Sequence, residues 1–143
     1  MGQFHIAESY FLSARKLRTF KITGHDGHPV RLLYYSALEV YLKAFLRFHG
    51  LSTKELARPD LGHRYCCLLE RAGKYGLKLD DEDHAVLWFL SYSDERERVR
   101  YTETGTVHWT DLDALDRTCV SIRELVWKPL KDAGLPVRLQ DVT

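Results

Sequence analysis

A chain of 143 residues with 45% hydrophobic and 29% charged content is long enough to bury one sizeable core and is composed like an ordinary globular domain. Its formal net charge of +1 argues against a strongly basic nucleic-acid or membrane-surface binder and leaves room only for a local basic patch. Cys66, Cys67 and Cys119 are an odd set with no framework spacing, which suits reduced thiols in a cytoplasmic protein.

The start, MGQFHIAESYF, has neither the basic opening nor the long apolar run of a signal peptide. Residues 2–20 read as a helix. Ala7, Phe11 and Ala14 recur at helical spacing, and Arg15, Lys16 and Arg18 gather near the C-terminal end, where cations suit the macrodipole. KITGHDGH, residues 21–28, reads as a loop. The stretch 29–50, PVRLLYYSALEVYLKAFLRFHG, organises the rest. Pro29 suits a first helical turn and Gly50 the residue just past the end. Apolar side chains cover most of its circumference, so this helix should be central and buried. Ser36, Glu39, Lys43 and Arg47 form one narrow stripe, which calls for a polar seam in the bundle. The charges punctuating the stretch argue against a membrane span.

Ser52-Thr-Lys-Glu55 fits a capping box and starts one short helical turn before Pro59. A further helix is predicted over 62–75, with Gly76 as its stop. Asp80 caps another, acidic at its start and running to about 96. Residues 97–110 read as irregular. Thr110-Asp-Leu-Asp113 then opens the last long helix, with Leu112, Leu115, Cys119, Ile122 and Val126 as its inward stripe, bent or ended at Pro129. No stretch alternates as a strand, and no repeat or linker breaks the chain. The expected fold is all-α: a compact up-and-down bundle of four long helices plus a short helical piece, its first two helices antiparallel. One domain spans 1–134, and 135–143 form a short, loosely held tail.

Several constellations invite chemistry. His25-x-x-His28 lacks the second ligand pair that structural zinc needs, and Asp81-x-x-His84 stands alone, so no metal and no cofactor is expected. His63 and Cys67 lie four apart, but Cys66 and Cys67 sit in an apolar run that suits small hydrophobes. Arg96, Arg98 and Arg100, with Lys43 and Arg47, offer an anion-binding surface, although interleaved Asp94, Glu95 and Glu97 also fit a solvated helix end. Glu39 precedes Lys43 by four, the favourable order for an ion pair. Half buried, that pair needs partners, and the seam becomes a candidate pocket.

YYSALEVYLKAFLRFHG, then GHRYCCLLERAGKYGL, then VRY, with FLSARKL before them, resembles the HEPN-domain family over residues 4–127. The resemblance implies a compact helical bundle, often a homodimer. Many members are metal-independent RNases of toxin–antitoxin, CRISPR and phage-defence systems, carrying Arg-x(4–6)-His late in the domain. Others lack that motif and serve as binding or scaffolding modules, some paired with a nucleotidyltransferase. Here seven residues separate Arg100 from His108, one too many. Arg18–His25 and Arg58–His63 fit the spacing but lie too early. The expectation is therefore a non-catalytic homodimeric binding or accessory module, related to nucleotides or RNA and linked to an antitoxin or nucleotidyltransferase partner, with no membrane attachment. The alternative is an RNase toxin using Arg100 and His108. The family match also brings Glu39, Lys43, His63, Arg100 and Tyr101 towards one seam, either as an internal ion network or as a cleft for a phosphate-bearing ligand.

Overall fold

The computed structural model describes residues 2–20, 27–100 and 108–141, and among them every regular element is a helix. In chain order these are α1 (Gly2–Arg18), α2 (Gly27–Phe48), α3 (Thr53–Leu56), α4 (Tyr65–Gly73), α5 (Asp81–Ser93), α6 (Glu95–Arg98) and α7 (Leu112–Asp132). The sequence suggested four long helices and one short piece. The lengths found are 17, 22 and 21 residues for α1, α2 and α7, 13 for α5, nine for α4 and four each for α3 and α6. Among the described residues, no helix is long and apolar enough to cross a membrane.

Local chemistry sets most boundaries. Gly50 takes φ +100°, which allows Leu51 N–H to reach Leu46 C=O and Gly50 N–H to reach Arg47 C=O, closing the end of α2. Ser52 Oγ accepts from Glu55 N–H at 3.1 Å while the Glu55 carboxylate accepts from Ser52 N–H at 2.6 Å, the reciprocal cap expected for α3. Asp80 and Asp111 cap α5 and α7 by accepting from Asp83 N–H and Asp113 N–H.

Three boundaries differ from the sequence expectation. Gly62, at φ +30°, folds its N–H back to Arg58 C=O, residues 61–63 form turns and Arg64 is extended; α4 therefore starts at Tyr65, and His63 precedes it. The helix after Asp80 does not run on to 96. Asp94 adopts the left-handed conformation, φ 55° and ψ 33°, and splits α5 from α6. The break turns Glu95 inward, where its buried carboxylate accepts from Tyr35 Oη–H and from Thr110 N–H at 2.6 Å. Pro129 lies inside α7, which continues to Asp132.

Side-chain contacts fix the topology. Phe4 meets Tyr41 and Phe11 meets Tyr34 at ring-centroid distances of 5.7 and 6.3 Å, so α1 and α2 are antiparallel, as expected. Glu8 pairs with Arg123, Arg15 with Asp116 and Arg18 with Asp113, so α7 is antiparallel to α1. The fully buried Phe4, Phe11, Tyr34, Tyr41, Leu38 and Leu42 lie where these three meet. On the other side of α2, Tyr65 of α4 donates to Tyr35 C=O at 2.9 Å, and α5 closes the bundle between α4 and α7.

The segment after Gly134 is held rather than loose. Val137 is buried and Leu135 and Leu139 pack on the core. Arg123 donates to Gln140 C=O at 2.7 Å, and Gln140 N–H donates to Glu8 Oε2 at 3.2 Å. Glu8 is thus fully enclosed, accepting also from Tyr41 Oη–H at 2.5 Å and from Arg123 at 2.5 and 2.7 Å.

Burial alone would raise the Glu8 pKa, but the Arg123, Tyr41 and Gln140 hydrogen bonds outweigh it and hold the carboxyl below its ordinary 4.5. Burial of Asp116 is likewise outweighed, by Arg15 and Tyr34, which hold it below 3.8. Both native values are depressed, so the stability they confer is present above the ordinary carboxyl range and lost as pH falls through 4.5 and 3.8 towards them. Urea unfolding at pH 7 and at pH 3 should show that loss. At pH 7, Glu8→Gln should cost about 3–5 kcal/mol by leaving Arg123 buried without its counter-ion, and its unfolding free energy should vary less with pH below 4.5 than that of the wild type.

Candidate functional site: a buried carboxylate between two cations and a histidine

The polar stripe of α2 divides by function. Ser36 Oγ–H donates back to Leu32 C=O at 2.8 Å, and Arg47 donates to Leu51 C=O at 3.0 Å, so the two ends serve the backbone. The middle pair builds a site. Glu39 is only 4% exposed although charged. Its Oε1 accepts from Lys43 Nζ at 2.8 Å and lies 2.8 Å from His63 Nδ1; its Oε2 lies 3.2 Å from Arg96 Nη2. Lys43 comes from the same helix, His63 from the turn before α4, and Arg96 from α6.

Of the residues placed in this seam from sequence, the structure brings together Glu39, Lys43 and His63. Arg100 does not reach Glu39. It is exposed and pairs with Glu97 Oε2 at 3.3 Å, while Glu97 Oε1 lies 3.8 Å from Arg96 Nη1. Arg100 is therefore the outer end of a chain of charges whose inner arginine is Arg96. Tyr101 lies outside the described residues, as do His25 and most of the loop before α2. Arg96 stood in the sequence among the arginines of 96–100 with nothing to separate it from Arg98 or Arg100. Only the left-handed turn at Asp94 points it inward.

A cavity of about 370 Å³ opens beside the cluster, lined among others by His63, Arg64, Ser91, Asp94, Arg96 and Glu97. Donors face it. Arg96 keeps its Nε buried without a hydrogen-bond partner. Cys66 N–H donates to Ser91 Oγ at 2.8 Å, which leaves the Ser91 hydroxyl hydrogen to point elsewhere. His63 is more than half exposed. A carboxylate only accepts, so the proton between His63 and Glu39 sits on Nδ1 and Nε2 is left for a ligand. Nε2 accepts when the ring is neutral and donates when it is protonated. Two permanent cations and one titratable ring surround a single carboxylate, which gives the inner wall a positive balance; Asp94 and Glu97 form an acidic rim.

The other constellations come out differently. Among the described residues, no three His, Cys, Asp or Glu side chains are placed to hold a metal ion. His28 packs edge-on to Trp109 at 5.2 Å. His63 turns to Glu39, and Cys67 instead lies 3.9 Å from Cys66, Sγ to Sγ, with burial pushing its thiol up. Arg100 and His108 are both exposed, and the segment joining them, 101–107, lies outside the described residues.

No known family model, curated protein or solved structure matches this chain.

Alanine substitution should rank the arginines by their place in the network. Arg96→Ala strips a buried carboxylate of a partner and should cost about 1–3 kcal/mol, a fall of several degrees in melting temperature. Arg100→Ala removes an exposed pair and should stay within about 0.5 kcal/mol. Lys43→Ala should behave like Arg96→Ala. Equal effects at 96 and 100 in thermal melts would contradict this geometry.

Proposed function

We propose that the chain is a non-catalytic HEPN-like bundle, a homodimeric binding or accessory module whose ligand is a phosphate-bearing molecule, a nucleotide or an RNA terminus. The observation that carries this reading is the wall beside Glu39. It brings the Arg96 guanidinium, braced by Glu39 and Glu97, the exposed His63 imidazole and the Ser91 hydroxyl together along one cavity. Arginine and protonated histidine are the donors best suited to phosphate oxygens. Lys43 is spent on Glu39 and serves to hold the wall in place. The sequence resemblance supplies the setting: defence or toxin–antitoxin systems in a cytoplasmic context, with an antitoxin or a nucleotidyltransferase as protein partner.

Two features favour binding over cleavage. Arg100 and His108 are spaced one residue beyond the nuclease motif, and Arg100 is already engaged by Glu97. His63, which lines the cavity beside Arg96, faces a carboxylate that fixes its ring, an arrangement that orients a ligand contact.

Calorimetric titration with AMP, ADP and a 5′-phosphorylated RNA oligonucleotide tests the reading. At least one should bind. His63→Ala should weaken it about tenfold, the loss of one charge-assisted hydrogen bond, and should lower the melting temperature less than Arg96→Ala, because the exposed His63 leaves Lys43 and Arg96 on Glu39. No heat at millimolar nucleotide or RNA would remove the ligand assignment. RNA cleavage that survives EDTA and disappears in His108→Ala would replace it with the RNase reading, in which Arg100 stabilises the scissile phosphate and His108 moves the proton of the attacking 2′-hydroxyl.

A further inference from the structure

α5 opens on acids, but beyond His84 it carries apolar side chains on two opposite sides. Leu87 and Leu90 are buried and Val86 packs on the core. Yet on the opposite side Trp88, Phe89 and Tyr92 stand 50%, 44% and 91% exposed. A helical stretch apolar on both sides is normally covered on both. Four other aromatics are engaged within the chain: Tyr65 is buried, Trp109 and Trp127 pack on the core, and Tyr75 stacks on His49 at 4.8 Å.

The exposed face of α5 is ordered. Asp81, Ala85, Trp88 and Tyr92 follow one another at steps of four, three and four, the seam of a helix that packs lengthwise against another, and Phe89 flanks it. Trp88 is held in position, its Nε1–H donating to His84 Nε2 at 3.2 Å.

The geometry points to this seam as the contact with a second copy of the same chain, the two α5 helices packing antiparallel across a twofold axis. The inference names the surface of the homodimer proposed above and rests on that reading. What identifies the occupant is that the seam contains its own complement. In the antiparallel register that sets Ala85 against Trp88 of the second copy, a small residue receives a large one, twice. The same register sets Asp81 beside Tyr92 of the second copy, so a carboxylate accepts from a phenol hydroxyl at each end. A twofold contact requires this reciprocity. A parallel pairing would instead press Asp81 against its own copy and Trp88 against its own copy.

The area agrees with a reversible dimer. An aromatic side chain offers about 150–250 Å², so the exposed parts of Trp88, Phe89 and Tyr92 supply about 400 Å² per copy, or about 800 Å² for the pair. Ala85, His84 and Asp81 bring this to about 1,000 Å², the lower limit of specific interfaces.

Sedimentation equilibrium from about 1 to 300 µM tests the seam on three proteins: wild type, Ala85→Glu and Trp88→Lys. Both substitutions fall on exposed positions, and circular dichroism should show the helices intact. Wild type should dimerise reversibly, and each variant alone should associate at least about tenfold more weakly, because each sets a charge against the apolar seam twice. An equimolar mixture of the two variants should recover association as a heterodimer. Only in the antiparallel register does the introduced carboxylate face the introduced ammonium while the native Trp88 and Ala85 meet on the other side. A wild-type dimer unaffected by either substitution would overturn the α5 surface and leave the homodimer standing. Weakened variants that fail to recover on mixing would overturn the register. Wild type monomeric throughout would overturn the surface and the homodimer together.

Discussion

The structure depends on a recurring bond: a buried tyrosine hydroxyl of α2 donating to a carboxylate on another helix. Tyr41 donates to Glu8 of α1, Tyr34 to Asp116 of α7 and Tyr35 to Glu95 of α6. The hydroxyls cannot be left dry, and the carboxylates cannot be left uncharged-for in a core, so each requires the other. A hydrogen bond to a charged group contributes about 1.5–3 kcal/mol. Its directionality matters more here than its energy. Leucines at these positions would bury comparable area yet allow neighbouring helices to slide. Burial, together with the facing carboxylate, pushes all three phenols upward, so none ionises in the ordinary pH range.

The same helix carries both the buried bonds and the candidate site, which explains how the site keeps its shape. Tyr35 fixes Glu95 at the start of α6, and the next residue is Arg96. Glu39, one helical turn beyond Tyr35, receives that arginine. The guanidinium is positioned from both sides by contacts that have nothing to do with a ligand. A cavity wall held this way is pre-ordered, so a ligand need not supply the ordering entropy itself.

The helical class was legible because its signals are local. Pro29 in the first turn and Gly50 just past the end mark α2, the Ser52 box announces α3, and the acids at Asp80 and Asp111 start α5 and α7. Glu39 and Lys43 were legible as a pair from spacing alone. Asp94 was not, because it follows an unbroken apolar period with neither glycine nor proline, and its left-handed turn serves distant Tyr35 and Thr110. Arg96 was hidden with it. Glu8 left a signal that periodicity could have found: it adjoins the inward stripe of Phe4, Ala7 and Phe11, as Arg123 adjoins that of Cys119, Ile122 and Val126. An acid and a base on the buried margins of two helices invite pairing. The packing of 135–141 was not legible, since the alternation of Leu135, Val137 and Leu139 is a strand's period, broken by Pro136, and says nothing of docking onto a helical bundle.

The tail closing on Glu8 also dictates when folding can finish. Glu8 is synthesised well before its partners: its ion partner lies 115 positions later and its last donor, Gln140 N–H, 132 positions later. Until those segments emerge, an α1–α2 hairpin would bury an acid with only Tyr41 to answer it. Closing those distant contacts costs more chain entropy than forming the α1–α2 hairpin, so Glu8 gains its full set of donors only once the tail has docked. A chain interrupted before Arg123 would leave the acid unanswered and be exposed to degradation.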